Sequence, residues 1–446
     1  MCASLLYLIM TFEYGLIAIY ITGLLILIQK WSLFNFEGIS RNWFHFAFIL
    51  KVMTGFFLYW LYSTQYPIRS EADIFKYFDD SEVLYHAFFE SKQHFFQLLF
   101  GIDCDGQYFR ESYFDNMINW YKTYDGHIFN NNRTMIRINA VMRFISFGSY
   151  HIHSILFGFS GLIGLTLILK AFRNVAQEYK GISILLVLLL PTTLLWSSGN
   201  LKEPLLLLFL GGAIWNLKNL GKSNIWLRLI VLCFFLLMIF ITKYYVLLAL
   251  LPTVIAQLCG HWIKGYIQIR YFSAMLLCAA VGILIGFINV DWHVAGLIGG
   301  KRNDMIRHAQ QTNAKSLFDH EIVEREWKDI VILAPEAFWD ALIQPVPSRE
   351  SNTLQILAFT ENIFVLLFII VCAIFSRAGP NKEAIWFVSS YVVLLYLIIG
   401  LTTPIAGALV RYKTPALPLI MILGLLIANK AKVRKVVVPG FLRKEK

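Results

Sequence analysis

Charge is scarce in this chain: Asp, Glu, Lys and Arg supply 15% of its 446 residues, whereas 58% are hydrophobic. A soluble domain carries roughly 25% charged residues, so a water-soluble globular protein is excluded. Cysteine is thin and scattered. Cys2, Cys104, Cys233, Cys259, Cys278 and Cys372 form no CxxC pair or Cys/His cluster, and four of the six lie inside apolar runs. Neither a disulfide framework nor a metal site is indicated. Histidines also lack ligand spacing, the close pair His151 and His153 included, and no metal is assigned. Internal repeats and low-complexity linkers are missing, which leaves residues 1–446 as one integral domain. The formal charge of +11 invites a nucleic-acid reading. Its placement argues against one. The basic residues sit in short loops and in the tail KAKVRKVVVPGFLRKEK, as in cytoplasmic segments facing anionic lipid.

What the chain has instead is length of apolar sequence. Runs of about 17 to 25 residues recur, each able to cross a roughly 30 Å hydrocarbon layer. Hydropathy and length predict an all-α polytopic membrane protein of about eleven spans, near 5–29, 43–62, 150–170, 181–196, 201–217, 225–242, 244–259, 271–290, 354–375, 383–401 and 404–427. The first run has no basic n-region and no small-residue cleavage site, so it is expected to be a retained span. With the basic tail at 428–446 placed in the cytoplasm, alternate loops carry Lys30 and Arg41; Lys170, Arg173 and Lys180; Lys218, Lys222 and Arg228; Lys264 and Arg270; Arg377 and Lys382. The positive-inside rule is met at each turn, and the N-terminus falls outside. A bacterial inner membrane is the expected location.

The outer face then gathers a long loop at 63–149, a second at 291–353, and the short turns SSGNLKEP (197–204), TKYY (242–245) and LTTP (401–404). Both long loops are rich in Trp, Tyr and Phe, which suits amphipathic helices lying at the bilayer interface.

Candidate chemistry collects on this face. In STQYPIRSEADIFKYFDDSEVLYH (63–86), Asp73, Tyr77 and Ser81 share one helical face, while Ile74, Phe75 and Phe78 would dip toward lipid. A carboxylate held there, partly desolvated, is expected to have a raised pKa and to act as a general base, with Glu71 and Asp80 as helpers. An interface helix whose acids simply face water would carry the same pattern. Lys202 and Glu203 open an apolar run after the turn residues Ser197 to Asn200. A helix N-terminus beside a lysine can cradle phosphate; a Lys–Glu pair capping the helix is the plainer alternative. Lys243, followed by Tyr244 and Tyr245, stands between two runs with almost no loop. It would bind phosphate or anchor at the interface. Arg411, ahead of Tyr412, Lys413, Pro415 and Pro418, falls inside the last run, where a lipid-facing arginine is costly and a buried functional role is favoured. In the second long loop, KRNDMIRH supplies Arg302, Arg307 and His308, a grip for phosphate or a solvated basic patch. One acid and three cations on one face suit a hydroxyl attack in which a lipid-linked phosphate departs: Asp73 takes the proton, and Lys202, Lys243 and Arg411 stabilise the leaving charge.

These residues carry a resemblance. An acidic residue in the first large outer loop resembles the GT-C superfamily of integral membrane glycosyltransferases. The ending RYKTPALPLIMILGLL is similar to the arginine-tyrosine-proline ending of its aminoarabinose and protein mannosyl transferase branches. ADIFKYF, LPTTLLWSSGNLKEP, PVPSRESNTLQILAFTEN and RYKTPALPL together resemble membrane proteins of polysaccharide clusters in Bacteroidetes-type bacteria. The resemblance implies transfer of a sugar from a polyprenyl-phosphate or diphosphate donor to a saccharide, lipid or protein acceptor. It assigns Asp73 as base or acceptor-positioning acid, and Arg411 with Tyr412 near the donor phosphate. The chain departs from the pattern in splitting the acidic pair, with Ala72 between Glu71 and Asp73, in an additional early span, and in having no large C-terminal soluble domain. Metal-free catalysis fits a monophosphate donor, with a divalent cation left open. Rival expectations are a polysaccharide polymerase or ligase working through Arg302, Arg307 and His308, a lipid-linked saccharide transporter, and a non-catalytic assembly subunit.

Overall fold

The computed structural model describes residues 2–65, 68–121, 130–222, 224–260, 263, 265–288, 293–312, 314, 316–318, 321–324, 326–349, 351–377 and 381–432, with side chains at all of these except 2–11 and 71. The described chain is all-helical, with extended pairing confined to isolated bridges. Among the described residues seven helices are long and apolar enough to cross a membrane: Phe12–Lys30, Asn42–Gln65, Tyr150–Ala171, Ile225–Cys259, Ile267–Ile288, Thr353–Ile374 and Lys382–Thr402. The pair Ala406–Tyr412 and Leu417–Ile427, bent by 57°, makes an eighth if it counts as one span.

The count differs from the eleven apolar runs for local reasons. Run 181–196 is divided into Gly181–Leu188 and Pro191–Trp196, because the residue before a proline is pushed out of helical geometry. Run 201–217 becomes Lys202–Lys218, about 25 Å long and short of the full hydrocarbon thickness. Ile225–Cys259 merges two runs across Lys243, whose φ of −152° and ψ of 86° are not helical.

That one residue changes the course of the chain. Asn216 accepts from Arg228 Nη1 at 3.5 Å, and Lys218 Nζ donates to Gln257 Oε1 at 2.9 Å. Residues 228 and 257 therefore both lie beside the end of the Lys202 helix, although a straight helix would part them by about 43 Å. The chain doubles back at Lys243. It follows that Lys202, Glu203 and Lys243 share one end of the bundle, while Lys218, Arg228 and Gln257 share the other.

The centre is tightly packed. The Tyr150–Ala171 and Lys202–Lys218 helices approach so closely that a Cβ on Gly211 would sit 2.1 Å from the Gly164 carbonyl oxygen. Small residues of this kind let membrane helices pack backbone to backbone.

The first long loop folds into Asp73–Glu90, Lys92–Phe100, Gln107–Ser112 and Asn131–Ser146. The second contains Val294–Gln311 and Trp327–Ile343. Ile74, Phe75 and Phe78, expected to dip toward lipid, are instead buried in protein. Tyr150 explains the difference: its ring packs 5.2 Å from Phe75 and 5.4 Å from Phe78, and Tyr59 covers Phe75 from the spans below. This aromatic shelf fixes the Asp73 helix to the bundle.

Candidate functional site

Arg411 is the hub of the Lys243 end. Its Nη1 lies 2.5 Å from Asp73 Oδ2, and its Nε donates to Glu203 Oε1 at 2.7 Å. Local sequence puts each group there. The Ala406–Tyr412 helix stops one residue after Arg411, and the turn through 413–416 holds Pro415 before the next helix starts at Leu417. Asp73 and Glu203 each occupy the first turn of a helix, where the positive end of the helix dipole favours an acid.

Three lysines ring this core. Lys76, one turn beyond Asp73, is paired with it. Lys243 reaches Glu203 Oε1 at 3.9 Å, held there by the reversal of the chain. Lys202 Nζ donates to Asn131 Oδ1 at 2.8 Å and Asn132 Oδ1 at 2.9 Å. Aromatic faces line the space between: Lys243 stands 4.1 Å over Tyr412, Lys202 4.7 Å over Tyr77, and Arg411 5.5 Å over Trp196. The Tyr77 hydroxyl donates to Asn132 Oδ1 at 3.1 Å. Lys301, from the second long loop, comes within electrostatic reach of Tyr412. Lys202, Glu203, Lys243 and Arg411 are all buried, and Glu203 Oε2 has no hydrogen-bond partner.

The electrostatics overturn one expectation. Burial works to raise the Asp73 pKa, but the charges of Lys76, Arg411 and Lys202 outweigh it and hold the carboxyl well below the usual range. Desolvation is expected to win only if the pairing of Asp73 with Lys76, one turn on, is left out. Arg411 adds a second partner from the far end of the chain. Asp73 is thus held as a carboxylate at neutral pH rather than poised near neutrality.

Four expected residues come together with Asp73: Lys202, Lys243, Arg411 and Tyr412, with Tyr77 and Glu203 supporting them. Others go elsewhere. Asp80 accepts from the backbone N–H groups of Ile118 (3.1 Å) and Asn119 (2.7 Å) and so fastens the first loop. Arg302 is buried, donating to the Glu321 carbonyl at 3.3 Å. Arg307 lies 3.9 Å from Asp304 on an exposed face, and the His308 carbonyl caps Thr312. The Glu71 side chain lies outside the described residues. Lys413 turns to the Gln344 carbonyl at 2.8 Å and Asn362 at 3.3 Å. Missed from sequence were Lys76, Asn131 and Asn132. The i, i+3 spacing of Asp73 and Lys76 was the available signal for the first, and the polar run NNNRT (130–134) for the amides. Among the described residues no group of three or more His, Cys, Asp or Glu is arranged to hold a metal.

The arrangement can grip an anion. Two carboxylates face four cations, leaving positive charge over, with aromatic rings against Lys202, Lys243 and Arg411, and burial of those three strengthens their interactions. No protein-family model, curated protein or solved structure matches this chain.

Proposed function

We propose that this protein is an integral membrane glycosyltransferase of GT-C type. It moves a sugar from a polyprenyl-phosphate or diphosphate donor to an acceptor hydroxyl at the extracytoplasmic face of a bacterial inner membrane, in building cell-envelope polysaccharide. One observation carries the reading: Arg411 is shared between Asp73 and Glu203 and ringed by Lys76, Lys202 and Lys243. Buried ion pairs are weak stabilisers and costly to assemble, and a structural bridge has no use for surplus cations. A departing phosphate does.

In this mechanism Lys202, Lys243, Arg411 and Tyr412 hold the donor phosphate. The acceptor oxygen bonds to the anomeric carbon as the bond from that carbon to the phosphate oxygen breaks. The electron pair leaves with the phosphate, and the cations stabilise the charge that develops there. The acceptor's proton passes to Asp73. Because Asp73 is held ionised, it accepts that proton late, once bonding to carbon has made the hydroxyl strongly acidic. Donor phosphate competing for Arg411 and the lysines raises Asp73's proton affinity at the same moment. On this reading the two legs either side of Lys243 and the shorter stretches 181–196 and 201–217 each count as a crossing, beyond the helices long enough by themselves, and a polyprenyl tail would lie between helices.

The test uses purified protein in lipid with a set of polyprenyl-phosphate sugars and follows release of polyprenyl phosphate or diphosphate. Asp73→Asn is expected to keep its fold and to lose about 10²- to 10⁴-fold in release. If release survives Asp73→Asn but fails on changing Arg302 or His308, the polymerase or ligase reading replaces this one. No release from any donor overturns it.

A further inference from the structure

The opposite end of the bundle holds a second polar feature that the proposed reaction does not use. A cavity of about 450 Å³ opens between the end of the Tyr150–Ala171 helix, the end of the Lys202–Lys218 helix and the start of the Lys382–Thr402 helix. Lys170, Arg173, Lys218 and Lys222 line it together with Asn174 and Asn219, and no carboxylate is among its lining residues. The basic residues of two separate loops, 170–174 and 218–222, thus converge on one pocket. Their partners are mostly neutral: Lys170 contacts the Asn35 carbonyl at 2.5 Å, Lys218 donates to Gln257 at 2.9 Å, and Arg173 has only a loose approach of 3.9 Å to the exposed Glu37. Lys218 also lies 4.8 Å over the Phe387 ring, which orients it without neutralising it.

A second cavity, about 360 Å³, adjoins the first and shares Trp215 with it. Its walls are mostly apolar, with Leu167, Leu227, Val231 and Phe235 from membrane-spanning helices. A basic pocket and an apolar one on either side of Trp215, at the end of a helix bundle, match the two halves of an anionic phospholipid. A free phosphate would use only the first.

We propose that this end of the protein carries a binding site for an anionic phospholipid, its phosphate held by Arg173, Lys222, Lys170 and Lys218 and an acyl chain lying along Leu227, Val231 and Phe235. The site is independent of the glycosyltransferase reading.

The experiment measures binding of short-chain phosphatidylglycerol, short-chain phosphatidylcholine and glycerol 3-phosphate to the purified full chain in neutral detergent. Arg173 and Lys222 are exposed, so Arg173→Gln/Lys222→Gln tests the pocket without disturbing the core. Each cation near an anionic headgroup contributes a factor of about five in affinity, so the double variant should bind phosphatidylglycerol about 30-fold more weakly. Lys30→Gln/Lys432→Gln, which removes two exposed charges elsewhere, should bind as wild type, and Arg173→Lys/Lys222→Arg should retain binding. Phosphatidylglycerol and phosphatidylcholine binding equally, or both double-Gln variants losing affinity alike, would overturn the site. Glycerol 3-phosphate binding as tightly as the lipid would overturn the lipid assignment in favour of a soluble phosphate.

Discussion

Both ends of the helix bundle bury an arginine against a carboxylate, and the two do it differently. At the Lys218 end Arg270 is matched to Glu383; the Tyr271 hydroxyl donates to the same carboxylate at 3.1 Å, and Arg270 Nη1 donates to the Ile263 carbonyl at 3.1 Å. One cation meets one acid there, with Lys218 within electrostatic reach of both. At the Lys243 end Arg411 is divided between Asp73 and Glu203, and Lys76 and Lys243 draw on the same two acids. A matched pair ties helices together and leaves nothing over. A shared arginine among extra lysines leaves positive potential in a water-poor space, which is worth building only where an anion comes to use it.

Removing each arginine separates the two ends most sharply. Arg411→Met leaves the buried Glu203 with Lys243 at 3.9 Å, and should destabilise the protein by about 3–5 kcal/mol while abolishing polyprenyl-phosphate release. Arg270→Met should cost less stability, since Glu383 is 28% exposed and keeps the Tyr271 hydroxyl, and should leave release per folded molecule nearly unchanged. Thermal unfolding in detergent, paired with turnover normalised to folded protein, reads both. If Arg270→Met proved as damaging to turnover as Arg411→Met, the ends would not differ in kind.

The lysines give a smaller contrast. Lys202→Gln removes a cation from the proposed phosphate grip, and should lower release about 10²-fold, the effect of losing one oriented donor to a developing anion. Lys218→Gln, at the far end of the same helix, should leave release within about twofold. Its half-buried amine is exchanged for an amide, which keeps hydrogen-bonding capacity at that point. Parallel losses in the two variants would mean that the Lys202–Lys218 helix matters as a rod, not for the charge at its start.

These contrasts mark what the sequence could and could not tell. The apolar runs, the tight reversal at TKYY and the burial of Arg411 beside two prolines all follow from local rules: hydrocarbon thickness, the cost of lipid-facing charge, the missing N–H of proline. Asp73 was legible as the first acid of a greasy helix. Its local partner Lys76 was within reach of a spacing argument; Arg411 was not, because it lies 338 residues away and no spacing encodes such a meeting. The same distance concealed that Glu203 serves Arg411 rather than capping its own helix. Amides are harder still: Asn131 and Asn132 can donate or accept, so only the fold decides that they accept from Lys202. Asp80 and Arg302 pose the opposite difficulty, since both bond to backbone groups. A charged residue that fastens backbone groups looks, in one dimension, like one that meets a ligand. Ile74, Phe75 and Phe78 show the limit of amphipathic patterns, which say that a face is apolar but not whether lipid or Tyr150 covers it.

The finest contrast is within one helix. Asp73 and Asp80 lie two turns apart on Asp73–Glu90, and their surroundings push them in opposite directions. Lys76, Arg411 and Lys202 overcome burial and hold Asp73 below its ordinary value. For Asp80 burial dominates over the hydrogen bonds from Asn119 and Ile118, and its pKa is raised. The linkage signs follow. A depressed carboxylate contributes stability that is complete above its unfolded pKa of about 3.9 and is lost as pH falls through its folded value. A raised one contributes stability that is complete below about 3.9 and is lost as pH rises through its folded value. The stability deficit of Asp73→Asn should therefore be the same at neutral and mildly acidic pH, and shrink only below about pH 4. The gap between wild type and Asp80→Asn should change earlier, moving in favour of wild type as the pH is lowered toward that point. Melting temperatures of the three proteins in one detergent, taken from pH 8 down to about 3.5, compare the two directly. Curves that moved together would mean that Arg411 does not hold Asp73 in solution, and the surplus of positive charge at the Lys243 end would lose its anchor.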